Sequence, residues 1–299
     1  MGDQLWAVAD MPFPCRVHYK TIEVRGIEIF YREAGDPKKP TLLLLHGFPS
    51  SSHMYRELIP LLAQDFHLVA PDYPGAGFSE HPPAEKFSAT FEGLADVMAE
   101  FAVRVGLKTY VLYMQDFGGP VGFRMALRNP DAVRGIVIQN ANAYLEGIAP
   151  DQLEGMRARA CGLTAEGRRQ VAQLVSRAFT LFTYQTGSRN FDAIDPTGWN
   201  LDVLLLEQPE VNRIQTGLML DYFSNVTDYP QWQAYLRSRQ PRTLIVWGKN
   251  DPIFLPSGAE AYLRDVPGAR LRFLDTGHFA LEEDVHAIAD EVRGAFAGT

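Results

Sequence analysis

Three residues of the chain have the types and positions needed for nucleophilic catalysis: Asp116, Asp251 and His278. Each follows a short apolar run bounded by turn residues, and the runs YVLYM, TLIVW and LRFL predict strands. The carboxyl ends of parallel strands lie along one edge of a sheet, so the three side chains can converge there. In contact, they would supply a nucleophile, a general base and a carboxylate that orients the base.

Asp116 lies between an apolar run and the residues FGGP. A carboxylate at the end of a buried strand is costly unless it is paired or hydrogen-bonded. One explanation is that Asp116 caps the helix that follows, because Asp is a favoured N-cap residue. The other is a strand-turn-helix elbow that exposes the carboxylate as a nucleophile. The chain order of nucleophile, acid (Asp251) and histidine (His278) favours the elbow.

A fourth predicted strand, LLLL, ends in the residues HGFP at positions 46–49. This turn can direct the backbone N–H of Phe48 toward the same edge of the sheet. Together with the N–H of Phe117, directly after Asp116, it would form a two-donor oxyanion hole. The alternative is a tight Gly-Pro turn that has no catalytic role.

Eight short apolar runs and the helical segments between them predict an α/β sheet. The predicted strands cover residues 21–24, 27–31, 41–45, 67–70, 110–114, 133–138, 243–247 and 271–274. Segments with a helical period lie at residues 88–105, 121–128, 257–264 and 285–296. This alternation indicates parallel strands with crossover helices, and Arg25-Gly26 predicts a hairpin turn between the first two strands.

The alternation stops between residues 141 and 240, where the sequence contains helical segments and no clear strand. A stretch of this length is too long for a loop in a compact domain. It therefore predicts a helical lid inserted into a core made of residues 1–140 and 241–299. A lid rich in aromatic residues, facing the carboxyl ends of the strands, would enclose an apolar pocket.

Over nearly its whole length the sequence resembles the α/β-hydrolase superfamily, in the segments HGFPSSSHMYRELIP, APDYPGAGFS, QDFGGPVGFRMALRNP, WGKNDP and DTGHFALEE. The resemblance implies a mostly parallel eight-stranded sheet flanked by helices, with an inserted helical lid. An Asp instead of a Ser at position 116 is similar to the branch that contains epoxide hydrolases and haloalkane dehalogenases. The resemblance is specific for the fold and the triad, and less specific for the substrate.

An Asp at the elbow has a chemical consequence. A carboxylate that attacks an sp³ carbon forms an ester, whereas a serine would form an ether that activated water does not cleave. Asp116 therefore indicates alkyl transfer, followed by attack of water at its own Cγ. His278 would activate this water, and Asp251 would orient His278. The oxyanion would be held by the N–H groups of Phe48 and Phe117, and no metal or organic cofactor is required.

The leaving group distinguishes the two enzyme classes of this branch. Related dehalogenases stabilise the halide with N–H donors, usually including a Trp directly after the nucleophile. Phe117 and Phe48 occupy the corresponding positions, and neither side chain donates a hydrogen bond. Trp199 and Trp232 are the remaining donor candidates. Trp199 and Phe182 are also predicted to contact the substrate.

Related epoxide hydrolases protonate the ring oxygen with lid tyrosines. The segment LMLDYFSN resembles the one that carries such a tyrosine, which makes Tyr222 the candidate acid. Tyr184 and Tyr144 compete for the second tyrosine position. We therefore predict an epoxide hydrolase that acts on a hydrophobic epoxide, with a haloalkane dehalogenase as the alternative. A ligand-binding protein without turnover and a cofactor-free oxygenase are further alternatives.

The composition bears on partners and location. A net charge of −8 argues against nucleic acid as a partner, because such binding depends on clustered Lys and Arg. Cys15 and Cys161 form neither a disulfide framework nor a metal motif, and so fit a reducing compartment. No apolar run is long enough to span a bilayer and the N-terminus lacks a signal-peptide pattern, so the predicted location is the cytoplasm. A small hydrophobic substrate and water are the predicted partners, and the oligomeric state, including a homodimer, is left open.

Overall fold

The computed structural model describes residues 16–298 and contains an eight-stranded sheet. The strands are β1 (His18–Val24), β2 (Ile27–Ala34), β3 (Thr41–Leu45), β4 (His67–Pro71), β5 (Tyr110–Gln115), β6 (Val133–Gln139), β7 (Thr243–Gly248) and β8 (Arg270–Leu274). Their order across the sheet is β1-β2-β4-β3-β5-β6-β7-β8. β2 pairs antiparallel with both β1 and β4, and the other neighbouring strands pair parallel. This arrangement confirms the predicted mostly parallel sheet.

The helices lie between the strands, as crossover connections require. The α-helices are α1 (Leu58–Leu62), α2 (Phe91–Arg104), α3 (Gly118–Arg128), α4 (Pro150–Cys161), α5 (Ala165–Leu174), α6 (Arg177–Gln185), α7 (Pro196–Leu206), α8 (Pro209–Asp221), α9 (Phe223–Arg239), α10 (Pro256–Asp265) and α11 (Leu281–Phe296). Short 3₁₀-helices lie at Ser52–Tyr55, Pro130–Ala132, Leu145–Gly147 and Phe191–Ala193. The helical segments predicted from periodicity correspond to α2, α3, α10 and α11.

The turn between β1 and β2 is formed by Arg25 and Gly26, whose φ angles are 52° and 75°. Positive φ at both central residues gives a turn whose twist matches that of the flanking strands. The predicted hairpin is therefore present at the predicted residues.

Strand β5 lies between β3 and β6 and is buried along its whole length. Helices cover both faces of the sheet, so successive side chains of β5 alternate between two cores. Leu112 and Met114 pack in the core that includes residues of α2 and α3. Val111 and Tyr113 pack on the other face, with residues of α1 and α11. This packing fixes the position of the residue that follows β5 at its carboxyl end.

Between β6 and β7 the described chain forms α4 to α9, here called the cap helices, and contains no strand. Trp232 of α9 is fully buried and stacks on Phe123 of α3, with ring centroids 5.1 Å apart. Arg124 of α3 also donates a hydrogen bond to Asp228 of α9 at 2.6 Å. These contacts attach α9 to the core of the sheet and make Trp232 a packing residue. The lid boundaries at residues 141 and 240 stay a prediction.

Cys161 is an exposed free thiol, and Cys15 lies outside the described residues. Residues 1–14, on which the absence of a signal-peptide pattern rests, also lie outside them. Within residues 16–298 no helix is both long and apolar enough to cross a membrane.

Candidate active site

Asp116 occupies a sharp turn between β5 and α3. Its φ is 48°, in the left-handed region that few non-glycine residues adopt. The N-cap residue of α3 is Phe117, so Asp116 is not the helix cap. A Cβ atom at Gly118 would lie 2.1 Å from the carbonyl oxygen of Leu45, so only glycine fits where this turn passes β3. The turn thus has the form of the predicted elbow.

The Asp116 carboxylate is buried and accepts hydrogen bonds from the backbone. The Phe48 N–H donates to its Oδ1 at 2.7 Å, and the Phe117 N–H also donates to the carboxylate. Its Oδ2 lies 3.9 Å from Nε2 of His278. Burial raises the pKa of Asp116 to about 6, although His278 and the two N–H donors act in the opposite direction. The structure thereby places the two N–H groups predicted for the oxyanion hole on one carboxylate.

His278 lies between Asp116 and Asp251. Its Nδ1 is 2.9 Å from Oδ2 of Asp251, whose side chain is fully buried. The N–H of Ile253 donates to the other Asp251 oxygen at 2.7 Å, which fixes the orientation of the carboxylate. Burial opposes protonation of His278, but the neighbouring Asp251 outweighs it and raises the pKa of the imidazole.

Two further residues contact this group, and sequence analysis missed both. Asn140, which follows β6 with a φ of 42°, donates from Nδ2 to Oδ2 of Asp251 at 2.7 Å. The side-chain amide of Gln115 lies 3.1 Å from Nε2 of His278. Asn140 could have been found by the rule applied to Asp251, because it also follows a strand at the same edge of the sheet. Gln115 carried no such signal, since it belongs to the apolar run itself.

A cavity of about 500 Å³ lies between the carboxyl ends of the strands and the cap helices. Asp116 and His278 line it on the side of the sheet, and apolar residues dominate the remainder. Its lining comprises Phe48, Asp116, Phe117, Asp151, Gln152, Gly155, Met156, Arg159, Gln170, Gln173, Leu174, Phe179, Phe182, Thr183, Met219, Tyr222, Pro252, Ile253, Phe254 and His278. A cavity of this size and character can hold a small hydrophobic molecule against the carboxylate.

Tyr222 lies at the junction of α8 and α9 and lines the cavity together with Phe48, Phe117 and Phe182. Its ring centroid lies 6.0 Å from that of Phe117. Its hydroxyl is hydrogen-bonded to Tyr229, and burial raises the pKa of Tyr222 well above its usual value. Tyr222 therefore keeps its proton at physiological pH, and in this structure its hydroxyl donates to that of Tyr229. Phe182 is 43% exposed and lies where the cavity opens to solvent.

The positions of Tyr184, Tyr144 and Trp199 differ from those expected, because none of the three lines the cavity. The Tyr184 hydroxyl donates to Asp202 at 2.7 Å. The Tyr144 hydroxyl donates to Asp265 at 2.8 Å. Trp199 lies beside Phe191 and packs against the core that contains residues of α1 and α11. The expectations that Tyr184 or Tyr144 acts as an acid and that Trp199 contacts the substrate are corrected accordingly, since each side chain is engaged elsewhere.

The cavity residues can together perform a nucleophilic substitution followed by ester hydrolysis. The Asp116 carboxylate faces the cavity. The backbone N–H groups of Phe48 and Phe117, which donate to it, can hold the oxyanion that forms at Cγ. The imidazole of His278 can take a proton from water, and Asp251 can stabilise the resulting cation. Within the described part of the chain, no group of three or more His, Cys, Asp and Glu side chains could hold a metal ion.

Comparison with known proteins places these features in a family. The family model described as alpha/beta hydrolase fold matches residues 40–285. The uncharacterized hydrolase YNR064C of Saccharomyces cerevisiae is 40% identical over 275 residues, which are 91% of this chain and 94% of that protein. Haloalkane dehalogenase 2 of Mycobacterium bovis is 42% identical over 101 residues, which cover 34% of this chain and 35% of the dehalogenase.

A solved structure agrees with the fold. The crystal structure of haloalkane dehalogenase DbeA from Bradyrhizobium elkani superimposes with a TM-score of 0.78 and covers 95% of this chain and 98% of its own. Its sequence identity of 23% supports a shared fold and no more. The protein is a hydrolase, and its chain belongs to the α/β hydrolase fold family, in a branch with haloalkane dehalogenases among its relatives.

Proposed function

We propose that the protein is an epoxide hydrolase that acts through an ester on Asp116. The carboxylate attacks a ring carbon, the carbon–oxygen bond breaks, and Tyr222 gives its proton to the ring oxygen. Water then attacks Cγ of the ester while His278 takes one of its protons. Collapse of the tetrahedral intermediate releases the diol, whose new hydroxyl takes the proton from His278. The proton left on the Asp116 carboxyl returns to Tyr222, so the net reaction adds one water to the epoxide.

The observation that supports the epoxide over the halide is the chemistry of the donors around Asp116. Tyr222 lines the same cavity as the carboxylate and carries a proton. Phe117 and Phe48, the neighbours of Asp116, have no side-chain donor, and no Trp occurs among the described residues that line the cavity. A hydroxyl proton suits an alkoxide leaving group, which must be protonated as the ring opens. Tyr229, which is not among the residues that line the cavity, accepts a hydrogen bond from Tyr222.

A haloalkane dehalogenase is the second candidate, favoured by the dehalogenases among the relatives of the chain. The experiment that separates the two candidates is a panel of aryl and alkyl epoxides assayed beside bromoalkanes and chloroalkanes. We expect diol formation from epoxides, with little halide release. Halide release without diol formation would assign the protein to the dehalogenases and leave Asp116 as the nucleophile.

Tyr222→Phe is expected to lower the rate of epoxide opening by at least about tenfold, because general acid assistance is typically worth about 10²–10⁴-fold. The hydrogen bond to the ring oxygen strengthens in the transition state, so the alkylation rate should fall more than the affinity. Single-turnover kinetics measure the two effects separately. Tyr144→Phe is the matched control, since this hydroxyl bonds Asp265 outside the cavity. Parental activity of Tyr222→Phe would contradict the assignment of the acid.

The alkylation rate is expected to fall as the pH falls through about 6. Burial raises the pKa of Asp116 to about 6, and only the ionised carboxylate attacks carbon. Below this pH Asp116 is protonated, so the nucleophile is lost while the fold stays intact. A pH profile of kcat/KM on an epoxide measures the midpoint. A rate that stays constant down to pH 5 would show that ionisation of Asp116 does not limit the reaction.

A further inference from the structure

Arg159 of α4 lines the cavity and has no carboxylate partner among the described residues. Its one side-chain hydrogen bond is a long one, 3.4 Å from Nη1 to Oε1 of Gln170. Its Nε is buried and has no hydrogen-bond partner. Burial lowers the pKa of Arg159, yet a guanidinium keeps its charge at physiological pH. A cation therefore faces the cavity without a counter-ion.

Several arginines of the cap helices lie near a carboxylate, but Arg168 of α5, like Arg159, bonds only a neutral group among the described residues, the carbonyl oxygen of Leu163. Arg157 lies 4.0 Å from Glu154 on the same helix. Arg213 pairs with Glu210 at 2.7 Å. What distinguishes Arg159 is its place in the cavity lining together with its buried, unpartnered Nε.

The side chain of Arg159 lies in a space that two glycines leave open. A Cβ atom at Gly155, one turn earlier in α4, would lie 3.2 Å from Nη1 of Arg159. A Cβ atom at Gly167 of α5 would lie 3.4 Å from the Arg159 Cγ. The guanidinium can therefore lie close to the backbone of α4, beside the cavity, instead of extending into solvent.

The cavity also contains a carboxylate besides Asp116, that of Asp151, but it does not neutralise Arg159. Asp151 is exposed in the first turn of α4, eight residues before Arg159. At a rise of about 1.5 Å per residue, the two Cα atoms lie about 12 Å apart along the helix axis. No ion pair within 4.0 Å joins the two side chains among the described residues.

We propose that the cavity takes epoxides that carry a carboxylate remote from the ring, and that Arg159 binds this carboxylate. A guanidinium matches a carboxylate with two parallel hydrogen bonds, and its orphaned Nε is one of the donors available for them. Met156, Leu174 and Phe179 line the cavity with Arg159 and suit an aliphatic chain between the two polar ends. The substrate class is thus an aliphatic epoxy acid. The opening of the epoxide ring rests on the proposed function, whereas the binding of the substrate carboxylate rests on Arg159 alone.

The first test measures binding without turnover. Octanoate and octanamide have the same chain, contain no reactive group, and differ in charge, so isothermal titration of the two against the parent protein isolates the anion contact. We expect octanoate to bind at least about tenfold more tightly than octanamide. Arg159→Gln should remove this difference, and Arg159→Lys should keep part of it. Arg157→Gln makes the same charge change on the same helix and should keep it fully.

Equal affinity for octanoate and octanamide in the parent protein would overturn the inference, as would an undiminished preference for octanoate in Arg159→Gln. Thermal unfolding of each variant shows that it is folded, and the octanamide affinity shows that its cavity is intact.

The second test uses the terminal epoxides of octanoate and octanamide as substrates. Arg159→Gln should raise the KM for the acid at least about tenfold relative to the KM for the amide, with the larger effect on KM than on kcat. If the parent opens the amide but shows no preference for the acid, the inference fails and the proposed function stands. If octanoate binding depends on Arg159 but neither epoxide is opened, the anion site stands and the proposed function fails.

Discussion

Asp116→Asn is expected to lose turnover by at least about 10⁴-fold, the scale of losses seen when a catalytic nucleophile is removed. The amide keeps the size and shape of the side chain but is not a nucleophile toward an sp³ carbon. The backbone N–H of Phe48 can still donate to the amide oxygen, so the elbow can keep its geometry. Multiple-turnover assays of diol formation, with mass spectrometry to show that the introduced amide has not hydrolysed, measure the effect.

The stability of this variant serves as the control for folding. The pKa of Asp116 is about 6 in the folded protein and higher than the ordinary value of the group, so its ionised form opposes folding above that pH. Removing the charge should therefore leave Tm at pH 8 equal to or above that of the parent. Asp192→Asn, at an exposed position of the cap, makes the same chemical change and should be fully active. Substantial diol formation by a folded Asp116→Asn protein would remove Asp116 from the mechanism.

His278→Gln is expected to stop turnover after a single alkylation. Attack of Asp116 on the epoxide needs no general base, whereas hydrolysis of the ester needs one to activate water. The ester should therefore accumulate, and the protein should gain the mass of one substrate molecule. Peptide mapping should place this added mass on Asp116.

The loss of the general base must be distinguished from a change in packing, because His278 is buried against Phe254 and Phe279. His286→Gln, at an exposed position of α11, is the matched control and should turn over substrate without an adduct. Consumption of one equivalent of epoxide, without release of diol, is the expected time course of His278→Gln. Several turnovers without an adduct would contradict the role of His278 as the base.

The fold and the central residues of the site could be predicted from the sequence because local patterns specify them. Asp116, Asp251 and His278 each follow a short run that predicts a strand, and the alternation of strands and helices indicates that these strands are parallel. In a parallel sheet the carboxyl ends of the strands lie along one edge, so the residues that directly follow the strands are placed together at that edge. The same rule applied to β6 would have identified Asn140 as the residue that holds Asp251.

The tertiary structure alone decided which cap side chains reach the cavity. The sequence singled out Tyr222 by its segment and left Tyr184 and Tyr144 as competitors for the second position, but of the three only Tyr222 lines the cavity with Asp116. The hydroxyls of Tyr184 and Tyr144 bond to Asp202 and Asp265, which are 18 and 121 positions away in the chain. The cap helices pack on one another and on the core, so the direction of an aromatic side chain depends on neighbours that no local pattern identifies.

The surroundings of the Arg159 guanidinium were likewise decided by the tertiary structure. The sequence shows an arginine in a helical segment that also contains Glu154 and Asp151, but it does not show which side of the helix faces the cavity. In the folded chain Gly155 and Gly167 leave room for the guanidinium beside the cavity, away from both acids. Which side chains a charged group meets depends on how the helices pack, because packing decides which face of a helix lines the cavity. The sequence therefore determined the fold and the chemistry at the edge of the sheet, and the packing of the cap helices decided what faces that chemistry.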